Sequence, residues 1–500
     1  MRQVKKRNSS STFPLTIEAL KKKIEEKTLN KPDLNFNVYE KNNKKLILFC
    51  IPYLVDMQKV DQLLLHALLD MESEWTNDAI LNEVPLKREN PVSNINEIIK
   101  GLVDGKVYLY VEQEHAIINY VLAKVEKRSL EKAEKESIVV GPQLAFTESL
   151  TTNLNVLSWR LKTPDLAMEK VSVGERVSKE ARIIYMSSVA NETDVNTIRQ
   201  RISELKVDMI EDIHMLKQYI NDDSLTVFPL FLTTELVDRS VYAIKQGKIA
   251  VLIDDSPLAL IAPSAFFSFY ESTEDMYLHW NSGTFLRLLR LIATIITILL
   301  TPMYVVATTY HYEIIPTQLL ISIGQSRSAV PFPPIMEVLL LELVIELLRE
   351  AGVRLPTKVG QTIGIVGGVV VGTAAVQAGI TSNILVILVT LGTLASFTAP
   401  SYIMGTALRL IRFPIIILSG FYGIIGLMFG ASFLVIHLLK LNSLGRPYLS
   451  PLYPLRLADF NKTFFRLPEQ KQGKRFLSYQ LKDKRIFNKK KATERKDIDE

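Results

Sequence analysis

The 500-residue chain has very little cysteine: Cys50 is the single thiol. One thiol cannot close an intramolecular disulfide, so the composition gives no indication of an oxidising compartment. The first 14 residues are basic and rich in serine, and no apolar run follows them. This pattern is not that of a secretory signal, and we therefore expect the large N-terminal part to stay on the side of the membrane where it is made.

The chain also lacks the common catalytic signatures. It contains no G-x-x-x-x-G-K-[ST] phosphate loop, no G-x-S-x-G nucleophile elbow and no H-E-x-x-H zinc motif, and its six histidines are scattered. Residues 254–257, Asp-Asp-Ser-Pro, are typical of a tight turn at a strand end, whereas a metal site there would need further spaced ligands. We therefore expect no enzyme, no bound metal and no cofactor.

Charge is missing from one long part of the sequence. Residues 285–439 hold only 13 charged side chains in 155 positions, and none lies between Lys358 and Arg409. A water-soluble domain does not leave so much surface uncharged. The distribution predicts an N-terminal soluble α/β region of two subdomains, followed by an all-α helical transmembrane domain with four to five membrane segments and a basic C-terminal tail.

The soluble region alternates short apolar runs with helical periodicity. Residues 45–52 predict a buried strand, residues 60–71 an amphipathic helix, and residues 248–253 with 258–261 a strand pair around the Asp-Asp-Ser-Pro turn. The predicted boundaries are a disordered basic N-terminus over 1–34, a first subdomain over 35–130, a second over 131–284, a membrane domain over 285–440 and a tail over 441–500.

Four segments are apolar and long enough to cross a bilayer: 291–310, 359–380, 384–400 and 413–439. A fifth, 330–349, carries Glu337, Glu342 and Glu346, with Glu350 just beyond. Carboxylates in hydrocarbon need water, a partner or an interface. This segment is therefore either an amphipathic helix at the membrane surface or an acidic approach to a cation pathway.

The topology depends on that fifth segment. Five crossings would place the tail, with 13 Lys/Arg against 6 Asp/Glu over residues 461–500, opposite the N-terminal region. Four crossings put both ends on the cytoplasmic side, as the positive-inside rule favours, but leave Arg409 and Arg412 outside. We favour four. The basic tail could bind nucleic acid, but beside a membrane attraction to anionic lipid is the simpler interpretation, and we expect no nucleic-acid partner.

The segment 359–380 has glycines at a spacing of four residues. On a helix they form a face that lets another backbone approach closely, as small residues do in membrane packing. The opposite face would line a hydrophobic gate if several copies of the helix surrounded an axis. Packing inside one chain is the alternative. The predicted packing residues are Gly360, Gly364, Gly368 and Gly372; the predicted pore-lining residues are Thr362, Val366, Val369, Val370, Thr373 and Gln377.

Longer motifs connect the chain to a known family. Residues 141–161 read GPQLAFTESLTTNLNVLSWRL, residues 330–356 read VPFPPIMEVLLLELVIELLREAGVRLP, and residues 360–372 read GQTIGIVGGVVVG. SFTAP follows at 396–400 and RPYLSP at 446–451. In this order, from about residue 140 to 468, the motifs resemble the A subunit of the GerA-type spore germinant receptors of endospore-forming bacteria.

The resemblance implies a multi-pass protein of the spore inner membrane. It implies two partners, a transporter-like B subunit that binds the nutrient and a lipoprotein C subunit, and a homo-oligomer, with a pentamer expected. It further implies a nutrient-gated channel that releases monovalent cations to initiate germination, with Glu337, Glu342 and Glu346 in its acidic pathway. A similar branch, the A-like protein of the stage V sporulation operon, is thought to amplify ion release without sensing nutrients. A non-conducting membrane scaffold is the further alternative.

Overall fold

The structure is a computed structural model. It describes residues 16–28, 33–42, 44–86, 92, 94–114, 116–125, 133, 136, 140–354, 368–468, 470 and 472–487. The first helix, α1 (Ile17–Lys27), buries Ile17, Leu20 and Ile24 on one face. This corrects the expectation of disorder over 1–34 for those residues, because an apolar spacing of three and four lets the helix cover a sheet.

The first subdomain is a four-stranded antiparallel sheet with helices on both faces. Its strands are β1 (Asn35–Lys41), β2 (Lys44–Cys50), β3 (Lys106–Val111) and β4 (Ile118–Val121), in the order β1-β2-β3-β4. Its helices after α1 are α2 (Met57–Lys59), continued by a π-helical turn (Val60–Leu65) and α3 (His66–Asp70), then α4 (Asn77–Glu83) and α5 (Ile95–Val103). Alternate residues of β2 face α1 and α5 on one side and the 57–70 helix on the other, which explains its unbroken apolar run.

The second subdomain has a five-stranded antiparallel sheet in the order β5-β6-β8-β9-β7. Its strands are β5 (Leu166–Val173), β6 (Lys179–Met186), β7 (Leu232–Thr234), β8 (Ile249–Ile253) and β9 (Ala259–Ala262). Helices α7 (Glu192–Ser203) and α8 (Ile213–Ile220) cover one face, and α6 (Leu150–Leu161) and α9 (Val237–Lys245) cover the other. The predicted strand pair around residues 254–257 is confirmed as β8 and β9. Together the two sheets confirm the predicted α/β class of this region. Most residues around the predicted 130/131 boundary lie outside the described chain.

Six helices of the described residues form the apolar domain. They are α10 (Trp280–Thr309), α11 (Thr317–Arg327), α12 (Pro334–Arg354), α13 (Gly368–Gln377), α14 (Asn383–Ser396) and α15 (Tyr402–Lys440). The long helix α10 packs against α12, α14 and α15 and is therefore central to the domain. Its core contacts run through Tyr304 and Val305, which lie against Val338, Leu385 and Ile416.

Part of the expected set of four to five spans is present as long apolar helices. Among the described residues, two helices are long and apolar enough to cross a membrane: α10, with 30 residues, and α15, with 39 residues, and their most apolar 18-residue windows have mean hydropathies of 2.1 and 2.0. Residues 359–367 of the predicted span 359–380 lie outside the described residues. Helices α13 and α14 are apolar but shorter. The predicted single span over 413–439 is also divided, since Gly423 has a left-handed φ of 59° with non-helical ψ. A Cβ at Gly430 would lie 3.2 Å from Ile415, so the two halves of α15 fold back on each other as a hairpin.

The chain then returns to the soluble region. Strands β10 (Asn442–Ser443) and β11 (Arg446–Pro447) and helix α16 (Leu457–Phe464) follow α15. Arg446 pairs with Asp194 at the start of α7, with 2.9 Å between Nη2 and Oδ1, and the Lys482 backbone N–H donates to the Val189 carbonyl at 3.0 Å. The described residues 442–487 are therefore folded against the second subdomain. The predicted tail over 441–500 is thus in part a folded segment; its basic run 489–491 lies outside the described residues.

Candidate functional site

The acidic residues of α12 face arginines of neighbouring helices. Arg412 of α15 donates from Nη2 to Glu342 Oε2, and Thr301 of α10 donates from Oγ1 to Glu342 Oε1 at 3.1 Å. The Glu342 and Arg412 side chains are 0% and 1% exposed. A Cβ at Gly392 of α14 would lie 3.4 Å from Arg412 Nη1, so the glycine leaves room for the guanidinium. Four helices thus enclose one buried ion pair.

A second pair lies one turn further along the same two helices. Arg409 Nε is 3.2 Å from Glu346 Oε1, and Arg349 of α12 also donates to this carboxylate. Residues four apart on α12 and three apart on α15 lie on one face of each helix, so both pairs form along a single contact. The result is a short ladder of opposite charges between α12 and α15.

Glu337 has a different set of partners near the other end of α12. It is buried, and its Oε2 lies 3.3 Å from Arg327 Nε of α11. The backbone N–H of Ser382 donates to Glu337 Oε1 at 2.6 Å, and the Thr381 hydroxyl donates to the same oxygen at 3.3 Å. The carboxylate therefore joins the end of α11 to the turn that precedes α14.

These contacts account for charges that the sequence analysis left unexplained. Glu337 has partners separate from those of Glu342 and Glu346. The pairing of Arg409 and Arg412 with the acids was not predicted, although the Arg-x-x-Arg spacing is compatible with the four-residue spacing of Glu342 and Glu346. Burial of a charge requires a partner in a low-dielectric environment. The role of the three glutamates in an ion pathway stays a prediction.

Helix α13 contrasts with the rest of the bundle. Its predicted gate residues Val369 and Val370 are 61% and 56% exposed, and Thr373 and Gln377 are exposed too. A Cβ at Gly368 or Gly372 would meet no atom of the described residues within 4 Å. Thr362, Val366, Gly360 and Gly364 lie outside the described residues. In the described part of α13, no other described residue covers the glycine face or the exposed valines, so the packing and pore-lining roles stay predictions.

A further charge cluster attaches the apolar helices to the soluble region. Asp275, fully buried, accepts hydrogen bonds from Arg290 at 2.8 and 3.0 Å and from Arg287 Nε at 3.2 Å. Both arginines belong to the first turns of α10. Arg466, which follows α16, donates to the carbonyl of Met276 at 2.6 Å. The start of α10, the soluble region and the C-terminal segment therefore meet at one junction.

The architecture defines a two-part protein, an α/β region joined through a charged junction to a bundle of apolar helices of the kind that crosses membranes. Residues 19–477 match the family described as Bacillus/Clostridium GerA spore germination protein. The chain belongs to this family, as the sequence motifs predicted. The match spans both parts of the protein.

Individual relatives are similar over most of their length. The chain is 39% identical to spore germination protein GerQA of Bacillus cereus, over 92% of this chain and 93% of that protein. It is 34% identical to spore germination protein KA of Bacillus subtilis, with 89% and 82% covered, and 34% identical to spore germination protein A1 of the same organism, with 84% and 87% covered. A crystal structure of the N-terminal domain of the A subunit of the Bacillus megaterium spore germinant receptor GerK3 aligns at 24% identity and a TM-score of 0.40, over 52% of this chain and 98% of that one.

Proposed function

We propose that the chain is the A subunit of a spore nutrient germinant receptor, and that several copies form a nutrient-gated channel for monovalent cations in the spore inner membrane. Family membership supports the role in germination. The observation that carries the channel proposal is the uncovered helix α13. A single copy of one helix cannot enclose a pore, so the proposal includes a homo-oligomer, with five copies as the expected number, and the B and C receptor subunits as partners.

The faces of α13 fit a helix that completes its packing outside the chain. In the core of the bundle, residues such as Val305 and Ile416 are fully buried, whereas Val369 and Val370 are more than half exposed. Gly368 and Gly372 would allow close approach of a second backbone. With that side against a neighbouring copy, the valines are free to face a common axis, where apolar side chains close a pore by excluding water.

The proposal also places both ends of the membrane domain on the cytoplasmic side. At the start of α10, Arg287 Nη1 donates to the Lys462 carbonyl at 2.9 Å, and at the end of α15, His437 Nε2 lies 3.0 Å from Thr226 Oγ1 of the soluble region. At the opposite end of α10, the Tyr310 hydroxyl donates to the Gly420 carbonyl near the hairpin turn. A chain that leaves from the soluble region and returns to it crosses an even number of times, which supports an even number of crossings, such as the expected four, over five.

The channel proposal is tested by shortening one gate valine. Spores that carry Val369→Ala in place of the natural chain should release potassium, or begin germination, without nutrient, because a smaller apolar side chain leaves the constriction wetter. Val435→Ala is the matched control, since Val435 is also an exposed valine, 50% exposed, on α15. Unchanged dormancy and ion retention in Val369→Ala and Val370→Ala spores would contradict the proposed pore face.

Oligomeric state distinguishes the channel from a non-conducting scaffold. Cysteines placed at Gly368 and Gly372 should crosslink copies to each other in spore membranes if α13 lies at a subunit contact; the natural Cys50 is buried and serves as the background. A protein that stays monomeric under these conditions would favour the scaffold. The stage V amplifier alternative predicts the same oligomer, but the ion release through it should be the same with and without the nutrient. We further propose a non-catalytic role, which turnover by the purified chain would overturn.

A further inference from the structure

A cavity lies in the second subdomain, where α9 and the segment before α10 meet the C-terminal segment. The centre of a water molecule can occupy about 60 Å³ of this cavity. About 10–15 Å³ of such volume is enough for one water molecule, so the cavity has room for several. Its walls are mostly apolar, and Phe267, Met276 and Phe476 contribute to them. A lipid is too large for this space, whereas a small organic molecule is not.

Three basic side chains and one acidic side chain, Glu271, line the cavity, and two of the basic side chains have acidic partners. Glu271 itself lies 3.9 Å from Arg287. Arg239 lies 3.2 Å from Glu136, and Arg287 lies 3.2 Å from Asp275. Lys248 is 8% exposed. Its Nζ donates to the Ser268 hydroxyl at 3.2 Å and lies 4.9 Å from the ring centre of Tyr479, but no carboxylate of the described residues lies within 4.0 Å.

A buried ammonium without a counter-ion is costly, because one hydroxyl and one aromatic ring replace only part of its hydration. The cost falls when an anion enters the same cavity. The positive charge of Lys248 therefore indicates that a ligand of this cavity carries a negative charge, and the small volume of the cavity limits the size of that ligand.

Two hydroxyl groups of the cavity wall add an independent observation. The Thr273 side chain is 4% exposed, and its hydroxyl is buried without a hydrogen-bond partner among the described residues. A buried hydroxyl of this kind is usually satisfied by protein, water or ligand. Burial raises the pKa of Tyr242, on the same wall, to about 12, so this hydroxyl keeps its proton and can donate.

We propose that this cavity binds a small organic monocarboxylate, with the carboxylate at Lys248 and the apolar part of the molecule against Phe267 and Met276. The hydroxyls of Thr273 and Tyr242 supply further hydrogen bonds. The proposed site lies on the A subunit itself and is independent of the proposed channel. Because Arg287 of the cavity wall belongs to α10 and pairs with Asp275, an occupied site would be in contact with the junction between the soluble region and the apolar helices.

The test measures binding of isobutyrate to the purified full chain in detergent by titration calorimetry. Isobutyramide, which has the same shape without the charge, serves as the ligand control. We expect isobutyrate to bind at millimolar concentration. Isobutyramide should bind at least about tenfold more weakly, because a hydrogen bond to a charged group is worth more than one between neutral groups. Lys248→Met should reduce isobutyrate affinity by about tenfold or more. Lys245→Met, a change at an exposed lysine of α9, should leave it unchanged.

Two further variants keep the test decisive if Lys248→Met does not fold. Ala243→Leu fills the cavity without changing charge and should abolish binding, and Thr273→Val should weaken it. Isobutyrate affinity that is the same in Lys248→Met or Ala243→Leu as in the natural chain would overturn the proposal. So would a natural chain that does not bind isobutyrate at millimolar concentration, or one that binds inorganic phosphate more tightly, because the apolar walls then play no part.

Discussion

The buried Glu342–Arg412 pair makes the sharpest prediction about the helical domain. Both side chains are less than 2% exposed, so neither can turn to water when its partner is removed. Glu342→Gln leaves Arg412 with a neutral acceptor, while its Nε and Nη1 already have no hydrogen-bond partner among the described residues. Arg412→Met leaves Glu342 buried without its counter-ion, and the Thr301 hydroxyl is then its remaining hydrogen-bond donor among the described residues.

The size of the loss follows from these remaining contacts. Removing one partner of a buried ion pair costs about 3–5 kcal/mol of unfolding free energy. We expect Glu342→Gln near the lower end, because the glutamine carbonyl still accepts from Arg412, and Arg412→Met near the upper end. The double variant Glu342→Gln/Arg412→Met should lose less than either single variant, because a matched neutral pair avoids the burial of an isolated charge.

The assay is unfolding of the full chain in mixed micelles by increasing SDS, followed by far-UV circular dichroism. Glu350→Gln is the matched control: its pair with Arg354 lies on the same helix, the side chains are 55% and 78% exposed, and the expected loss is about 0–1 kcal/mol. Additive losses in the double variant would refute the reasoning. That result would mean that the two side chains act independently, as expected of acids that serve a water-filled pathway.

Two further predictions concern the hairpin of α15 and the carboxylate of Glu180 on β6. A Cβ at Gly426 would lie 2.0 Å from the Leu418 carbonyl oxygen, so Gly426→Ala should sharply lower the yield of folded protein and the midpoint of unfolding by SDS. Gly352→Ala is the control: a Cβ at Gly352 would meet no atom of the described residues within 4 Å, so this change should leave the midpoint unchanged or raise it. Burial opposes ionisation of Glu180, but Lys170 and Arg182 outweigh it and lower the pKa of Glu180 below its usual 4.5. The stability that this carboxylate contributes is therefore present above pH 4.5 and is lost as the pH falls through the lower pKa that Glu180 has in the folded protein. The difference in unfolding free energy between the natural chain and Glu180→Gln should shrink in that pH range. A difference that does not change with pH would contradict the proposed pairing of Glu180 with Lys170 and Arg182.

Local patterns were sufficient for much of the soluble region. The apolar run over 45–52 predicted β2, and the two runs around Asp254 and Asp255 predicted β8 and β9, since strands and turns of this kind depend on neighbouring residues. The helix α1 was missed because seven of the eleven residues from 17 to 27 are lysine or glutamate around three spaced apolar side chains, and this pattern predicts little until a sheet is present to cover. The break at Gly423 was missed because glycine is tolerated in apolar helices, and only packing between the halves shows the reversal.

The candidate site was likewise predicted from the sequence only in part. The sequence pointed to α12 because carboxylates in an apolar segment are conspicuous whatever their surroundings. Their partners belong to α10, α11 and α15, and up to 70 residues separate the members of a pair, as for Glu342 and Arg412. A pairing over that distance depends on how helices are placed side by side, and several arrangements satisfy the same hydrophobic pattern.

The scarcity of charge over residues 285–439 by itself determined that the chain has an apolar helical part, because such a segment cannot remain exposed to water. The motifs by themselves determined the family. Only the tertiary structure decided that Arg409 and Arg412 lie beside Glu346 and Glu342, that the C-terminal segment returns to the soluble region, and that Lys248 faces a cavity. Each of these depends on contacts between distant segments, whose free energies are set by burial and by the positions of opposite charges rather than by the order of neighbouring residues.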